Sequence, residues 1–496
     1  MTTSTGGVAL APSNAGDNRG GCPRLRALTE EQKALLHDAS LEILQRTGLR
    51  FYHSKALNLF ESAGVEITDD NLVRIPPERV EWALETAPKR VAIYNREGDL
   101  AMVLGGDRSY FGVGSDCRYI YDLDTGHRRE ALLSDVVDGV RLVDALPNLD
   151  FVMSMFLPTD APEETYERYQ MEIMLTESIK PIVFVGLAQS STVDSLEMAA
   201  AVAGGFAHLA DRPFVINYVN PTSAFKHDKE AVGRLLFAAK RNMPTIYFPG
   251  LSRGMTAPMT VAGAMALSNA AQLAGLVLSQ LRCEGAPFIR SAAGGGTLDM
   301  RTMVGSYAAP DGGPYGWDMA HHYDMPIFGT GGCSDAKVFD AQAATEAALS
   351  LFANAVSGAN LIHDIGYLDC AMTGSLELVA LCNEIVGWLR RYLRGPLEIT
   401  EETLALDLIH EVGPDGSFIE SRHTLRHCRD DWVPTLFDRR DYRTWAAAGS
   451  STLYQRANKL VWEMLATHEP RPLPTASESR IKIIVQRANA AIRRMR

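Results

Sequence analysis

Cysteine is sparse and unorganised in this chain. Seven residues stand at positions 22, 117, 283, 333, 370, 382 and 428, an odd number with no CxxC pair. That excludes a disulfide framework and a zinc ribbon and points to a reducing cytoplasm. Long apolar runs are missing too: nowhere do about 18 apolar residues follow one another, so no membrane span is expected. The apolar patch near the start, Val8-Ala9-Leu10-Ala11, is too short for the core of a secretory signal. Positive charge is in deficit, with 48 Lys and Arg against 60 Asp and Glu and a net charge of −12. A phosphate-backbone partner needs concentrated cations, so nucleic acid is excluded. There is also no GxGxxG turn opening a helix, as a dinucleotide site would show, and no HExxH.

What is present is an ordinary globular composition, 46% hydrophobic and 22% charged over 496 residues, enough for one large α/β domain with additions. Residues 1–24 are rich in Thr, Ser, Gly and Asn and read as a disordered arm. Residues 25–108 read as a preface of helices and hairpins. Leu35, Leu36, Ala39, Leu41 and Leu44 fall at helical spacing behind the capping signature Thr29-Glu30-Glu31-Gln32. Further helices are expected over 54–63 and 76–87, and then hairpins at the mouth of the main domain. From 109 to 395 strand-like and helical segments alternate. Eight segments read as strands, over 110–115, 151–156, 182–186, 214–219, 245–250, 288–292, 327–331 and 360–366. That number and spacing predict a (β/α)8 barrel rather than a doubly wound sheet. Residues 396–496 read as a helical extension packed on the barrel or on a neighbouring subunit, and a homo-oligomer is expected.

The run Pro326-Ile327-Phe328-Gly329-Thr330-Gly331-Gly332-Cys333-Ser334-Asp335-Ala336-Lys337 is the centre of the chain. A strand-like start breaks at two glycines, delivers Cys, Ser, Asp and Lys, and leads into a helix near Val338. In a barrel the strand tips carry the chemistry, which nominates Ser115, Asp116, Tyr218, Asn220, Arg253, Cys333, His363 and Asp364. A plainer role is a turn in which Ser334 or Asp335 caps the next helix and Cys333 is a small buried hydrophobe. Tyr110, Phe111, Tyr218, Tyr247, Phe248, Tyr315 and Trp317 lie near the tips, where rings can cage a quaternary ammonium. His423, His427 and Cys428 have the spacing of a helical metal site but no general-base Glu between the histidines, so no bound metal is expected.

The central run resembles that of the trimethylamine and betaine:corrinoid methyltransferases (the MttB superfamily). Their trimethylamine-demethylating members carry pyrrolysine in a Gly-pyrrolysine-Ser-Asp-Ala-Lys run followed by Asp-x-Gln-Ala. Here the run is Gly332-Cys333-Ser334-Asp335-Ala336-Lys337, then Asp340-Ala341-Gln342-Ala343, with Cys333 where pyrrolysine would stand. Further echoes are Pro221-Thr222-Ser223, the spacing from Ser375 to Glu377, His423-Thr424-Leu425 ahead of Asp438-Arg439, and Trp445-Ala446-Ala447-Ala448-Gly449-Ser450. The resemblance implies a TIM barrel that moves a methyl group from a methylated amine to a corrinoid (cobalamin) held by a cognate partner protein.

A tertiary amine such as trimethylamine gives up a methyl group only if the amine that leaves is protonated or otherwise activated, and the resemblance implies that pyrrolysine supplies this help. Its replacement by Cys333 implies a substrate already quaternised, such as glycine betaine or a related betaine. The substrate-binding set expected is Tyr110, Phe111, Tyr218, Asn220, Tyr247, Asp311, Cys333 and His363, with Asp311 facing the cation and no catalytic residue assigned. Arg253, Arg290, His363 and Lys337 are the candidates for the substrate carboxylate. Two other readings stand beside this one: a barrel hydrolase or acyl-transfer enzyme with Cys333 as nucleophile and His363 as base, and a betaine-binding protein without turnover.

Overall fold

The computed structural model describes residues 24–291, 296–308, 313–395 and 398–495. Apart from Arg24, the arm expected at the N-terminus lies outside them. The first helix, Glu30–Glu42, starts where its capping signature places it: Thr29 accepts from the Gln32 N–H and the Gln32 side chain accepts from the Thr29 N–H. Helices Ser54–Ser62 and Pro77–Thr86 complete the helical part of the preface.

The chain then builds a ring of parallel strands. Seven are hydrogen-bonded in the order Tyr110–Phe111, Leu361–His363, Ile327–Thr330, Phe288–Ser291, Thr245–Tyr247, Val215–Val219, Ile182–Val185. The segment at 151–152 joins the two ends, since Phe151 bridges Gly112 and Val152 bridges Ile182, both in parallel register. The ring is therefore closed by eight segments, with Leu361 beside Tyr110, and the fold is the TIM barrel expected from the alternation.

The pleat decides which residues look inward. Tyr218 and Phe328 belong to strands that are not neighbours, yet their rings lie 5.5 Å apart, so both point into the ring. Tyr218 is in register with Ile246, which turns the adjacent Tyr247 outward.

Two hairpins sit at opposite ends of the barrel. The hairpin of Val91–Tyr94 and Leu100–Leu104, expected at the mouth, closes the bottom instead. Its Tyr94 N–H donates to the Pro213 carbonyl and its Arg96 N–H to that of Ile179, each at 2.8 Å and each just ahead of a barrel strand. The hairpin of Tyr119–Tyr121 and Arg128–Glu130 is at the mouth, paired through Tyr119 with Thr373 beyond the last strand.

Helix Val261–Arg282 is long and apolar enough to cross a membrane by length and composition, but 83% of its most apolar window is buried inside the protein. It packs between the ring and preface helices Glu30–Glu42 and Pro77–Thr86. Its polar residues are matched there, with Asn269 donating to Ser40 Oγ at 2.9 Å. The C-terminal helices Leu453–Thr467 and Thr475–Met495 lie on the barrel's outer helices: the first on Leu376–Tyr392 and Leu133–Ala145, the second on Gln189–Ala203 and Tyr166–Glu177.

Candidate active site

The strand ends converge on Asp364, just past the last strand. It is 2% exposed and its backbone is left-handed (φ 72°), a conformation that aspartate tolerates better than most residues and that marks functional sites. Its Oδ2 accepts from the Tyr307 hydroxyl at 2.5 Å and the Thr330 hydroxyl at 3.3 Å, and lies 3.1 Å from His363 Nε2. The His363 ring stacks on Phe328 with centroids 3.8 Å apart and donates from Nδ1 to the Gly329 carbonyl at 2.7 Å. Nδ1 is thus held by the backbone, and Nε2 is turned to the Asp364 carboxylate. Burial pulls the His363 pKa down, against the pull of the Asp364 carboxylate.

A second carboxylate, Asp116, stands at the tip of the first strand, also left-handed (φ 74°) and accepting from Ser115 Oγ at 2.8 Å. Its side chain is exposed to solvent, although protein surrounds it on the remaining sides. That crowding, with the charges of Glu167 and Asp364, pushes its pKa up to about 6, although the Ser115 hydrogen bond opposes the shift. Tyr218 and Tyr367 lie near enough to feel both carboxylates. Tyr367 donates to the Ser115 carbonyl and lies 6.4 Å from Tyr307, while Tyr218 stacks with Phe248 at 6.1 Å. Burial, reinforced by the Asp364 charge, raises the pKa of Tyr218, Tyr307 and Tyr367, so all three stay neutral phenols.

Of the expected binding residues, Tyr218, Cys333 and His363 belong to this cluster. Cys333 is 1% exposed, in the loop where Gly332 takes a left-handed turn (φ 76°). Burial first, then the Asp364 and Asp335 carboxylates, push its thiol pKa well up. Asn220 is exposed at the tip of its strand, its carbonyl held by Arg234 at 3.4 Å.

Three other expected binding residues are placed elsewhere. Tyr110 points inward but at the bottom, where its hydroxyl bonds the Val103 backbone of the plugging hairpin. Phe111 alternates outward and meets the Arg390 guanidinium at 6.0 Å. Tyr247 faces outward into the preface core, stacked with His227 and bonded to its Nδ1. For Phe111 and Tyr247 the pleat, which sequence position alone does not fix, sets the direction; for Tyr110 it is the height along the strand. Asp311 lies outside the described residues. Trp317 is core, filling the space above Gly329 where a Cβ would lie 1.9 Å from its ring, and half-buried Tyr315 packs on the preface core.

The residues around Cys333 organise the mouth. Ser334 donates to Glu346 at 2.6 Å. The Asp335 carboxylate accepts from the Tyr307 N–H at 2.9 Å and from Ser306 Oγ at 3.2 Å, fastening that loop over the seventh strand. Neither caps the following helix, which runs Ala341–Ser357 and is capped by Asp340. Arg290 turns away from the site, between its strand and helix Val261–Arg282, where it bonds Asn269 and lies 4.7 Å from the Tyr323 ring. Burial there lowers its pKa to about 10. Lys337 is exposed and paired with Asp369 at 3.0 Å. Arg253, past the fifth strand, is buried and bonded to Thr297 past the sixth.

The comparisons with known proteins agree with this picture. The family model described as trimethylamine methyltransferase (MTTB) matches residues 8–492. A trimethylamine methyltransferase, MttB, of Desulfitobacterium hafniense is 31% identical over 93% of this chain and 94% of its own length. A glycine betaine methyltransferase of the same species is 30% identical over 93% and 97%. The crystal structure of the Methanosarcina barkeri monomethylamine methyltransferase (MtmB) superposes with a TM-score of 0.50 over 89% of this chain and 88% of that one, at 11% identity, a likeness of fold. The chain belongs to the trimethylamine methyltransferase family and is itself a methyltransferase.

Proposed function

We propose that the protein takes a methyl group from a quaternary amine, glycine betaine or a related betaine, and passes it to the Co(I) corrinoid of a partner protein. The observation that carries this reading is the pairing of Asp364 and Asp116 with the rings of Tyr218, Phe328, Tyr307 and Tyr367 at the barrel mouth. Carboxylates supply charge and rings supply an apolar, electron-rich wall, which together suit a cation that has no N–H to donate. Of the four candidates for the substrate carboxylate, Arg290 and Lys337 are held away from the site by Asn269 and Asp369, which leaves the strand-tip residues Arg253 and His363 as candidates. In this arrangement the Asp364 carboxylate faces the cationic end of a betaine, and the wall of rings excludes water from the C–N bond.

The leaving group is a neutral tertiary amine, so the methyl transfer itself asks no proton of the enzyme. None of the pocket's phenols and carboxylates is a suitable methyl acceptor, which supports an acceptor that enters from the mouth. Cys333, with its raised pKa, is a poor thiolate, and His363, whose Nδ1 proton is held by the Gly329 carbonyl and whose Nε2 is turned to Asp364, is not placed as its base. The glycine betaine methyltransferase among the relatives favours the same substrate class.

The test is a panel of glycine betaine, other betaines and trimethylamine, assayed by the spectrum of cob(I)alamin under anaerobic conditions. Betaines are expected to methylate it, and trimethylamine to do so at least a hundredfold more slowly. Cys333→Ser should keep most of the activity. Comparable turnover of trimethylamine, or loss of activity in Cys333→Ser, would contradict the proposal.

The charge of Asp116 adds a pH dependence. Its carboxyl is neutral below about 6 and anionic above, so affinity for a permanently charged cation should rise as pH increases through 6 and then level off. Calorimetric titration with tetramethylammonium from pH 5 to 8 checks this, and Asp116→Asn should flatten the profile.

A further inference from the structure

Between helices Leu376–Tyr392 and Leu453–Thr467 the chain leaves the body of the protein. Residues 398–430 form three short helices, Glu401–Leu404, Leu406–Val412 and Arg422–His427, and no residue of any of them is buried. None packs closely on the barrel or the preface. Helices this short do not persist in water by themselves. The bonds that hold them are local to the arm, such as Thr424 to the Phe418 carbonyl at 2.7 Å and His427 to Asp430 at 2.6 Å. The surface is also apolar, with Ile399, Leu404, Leu406, Ile409, Ile419 and Leu425 between 47% and 78% exposed. Beside the root of this arm lies a second uncovered stripe on the outer helices of the barrel: Leu349 is 61% exposed, Phe352 40%, and Trp388 and Tyr392 54% each. The Phe352 and Tyr392 rings are 5.8 Å apart, so the stripe is continuous across two helices.

We propose that the arm is the clasp of a homodimer, the arm of each copy lying on the Leu349, Phe352, Trp388 and Tyr392 stripe of the other. Ten large side chains at about half exposure offer on the order of 1,000 Å² per copy, against the roughly 800 Å² per partner of a stable interface. Monomeric proteins seldom leave so large an apolar surface uncovered. Arm and receptor belong to one chain, so the contact is self-complementary and closes under a two-fold axis.

Position excludes the methyl acceptor as the occupant. The arm follows the C-terminal end of helix Leu376–Tyr392, where Arg390 pairs with Asp150 at 2.7 Å. Asp150 precedes the second barrel segment, so the root of the arm lies at the bottom of the barrel, facing away from the mouth. The assignment therefore does not depend on which amine the enzyme demethylates.

Sedimentation equilibrium and light scattering on the full chain test it. The mass expected is two chains of 54.2 kDa, or a multiple of two. Leu425→Glu on the arm and Leu349→Glu on the stripe should each weaken assembly at least tenfold. Both side chains are exposed in the single chain, so circular dichroism should not change. A monomeric or trimeric wild type would overturn the proposal, and so would an unchanged dissociation constant in either variant.

Discussion

Asp364→Asn is expected to cost the enzyme a hundredfold or more in kcat/KM while leaving it folded. The carboxylate is the anion around which Tyr307, Thr330 and His363 are arranged, all on the oxygen Oδ2. Asparagine keeps the shape and removes the charge. Losing one charge of a buried, hydrogen-bonded pair across a binding contact costs about 2–5 kcal/mol of affinity, and about 1.4 kcal/mol is tenfold in binding, so cation affinity should fall by roughly two to three orders of magnitude. Thermal unfolding separates this from simple damage: the variant should melt within a few degrees of wild type and bind tetramethylammonium poorly. If kcat/KM stays within threefold, Asp364 is not the counter-ion of the substrate.

Gly114→Ala is expected to give a comparable loss by a different route. A Cβ at this position would lie 2.1 Å from Asp364 Oδ1 and 2.5 Å from the Tyr367 hydroxyl oxygen. No such approach is tolerated, so the carboxylate or the tyrosine must move. The residue is glycine for want of space. Overpacking of this kind costs about 1–3 kcal/mol in stability, but the larger effect should be on turnover, at least tenfold, because what moves is the group facing the cation. A Gly114→Ala enzyme with wild-type kinetics would show that the position of Asp364 is unimportant.

The barrel was legible in the sequence because its eight strands recur at regular intervals and its helices carry local caps. The residues echoing the family turn out to serve the frame more than the chemistry. Asp340 caps a helix, Ser375 caps another and bonds Glu377, and Thr222 makes a turn with Asp228. Such contacts are local, so a short motif captures them.

The site was only half legible. Position at a strand tip found Asp116, Tyr218, Cys333, His363 and Asp364. The same rule also nominated Phe111 and Tyr247, because inward and outward differ by a single residue and the pleat is set by pairing across the sheet. Tyr307 and Tyr367 were missed altogether. They lie beyond strand ends, in segments with no periodicity, and are recruited through a carboxylate 57 positions along the chain and a carbonyl 252 positions away.

Helix Val261–Arg282 has a consequence for how the protein is made. Its most apolar stretch is covered on one side by preface helices that end at Thr86. At ordinary rates of synthesis the roughly 175 intervening residues take on the order of 10–35 s to add. The preface therefore emerges early and waits, unable to complete its own core, until the helix arrives. Once made, that helix finds its cover already outside the ribosome, so the start of the chain serves as a tethered chaperone for its most aggregation-prone segment.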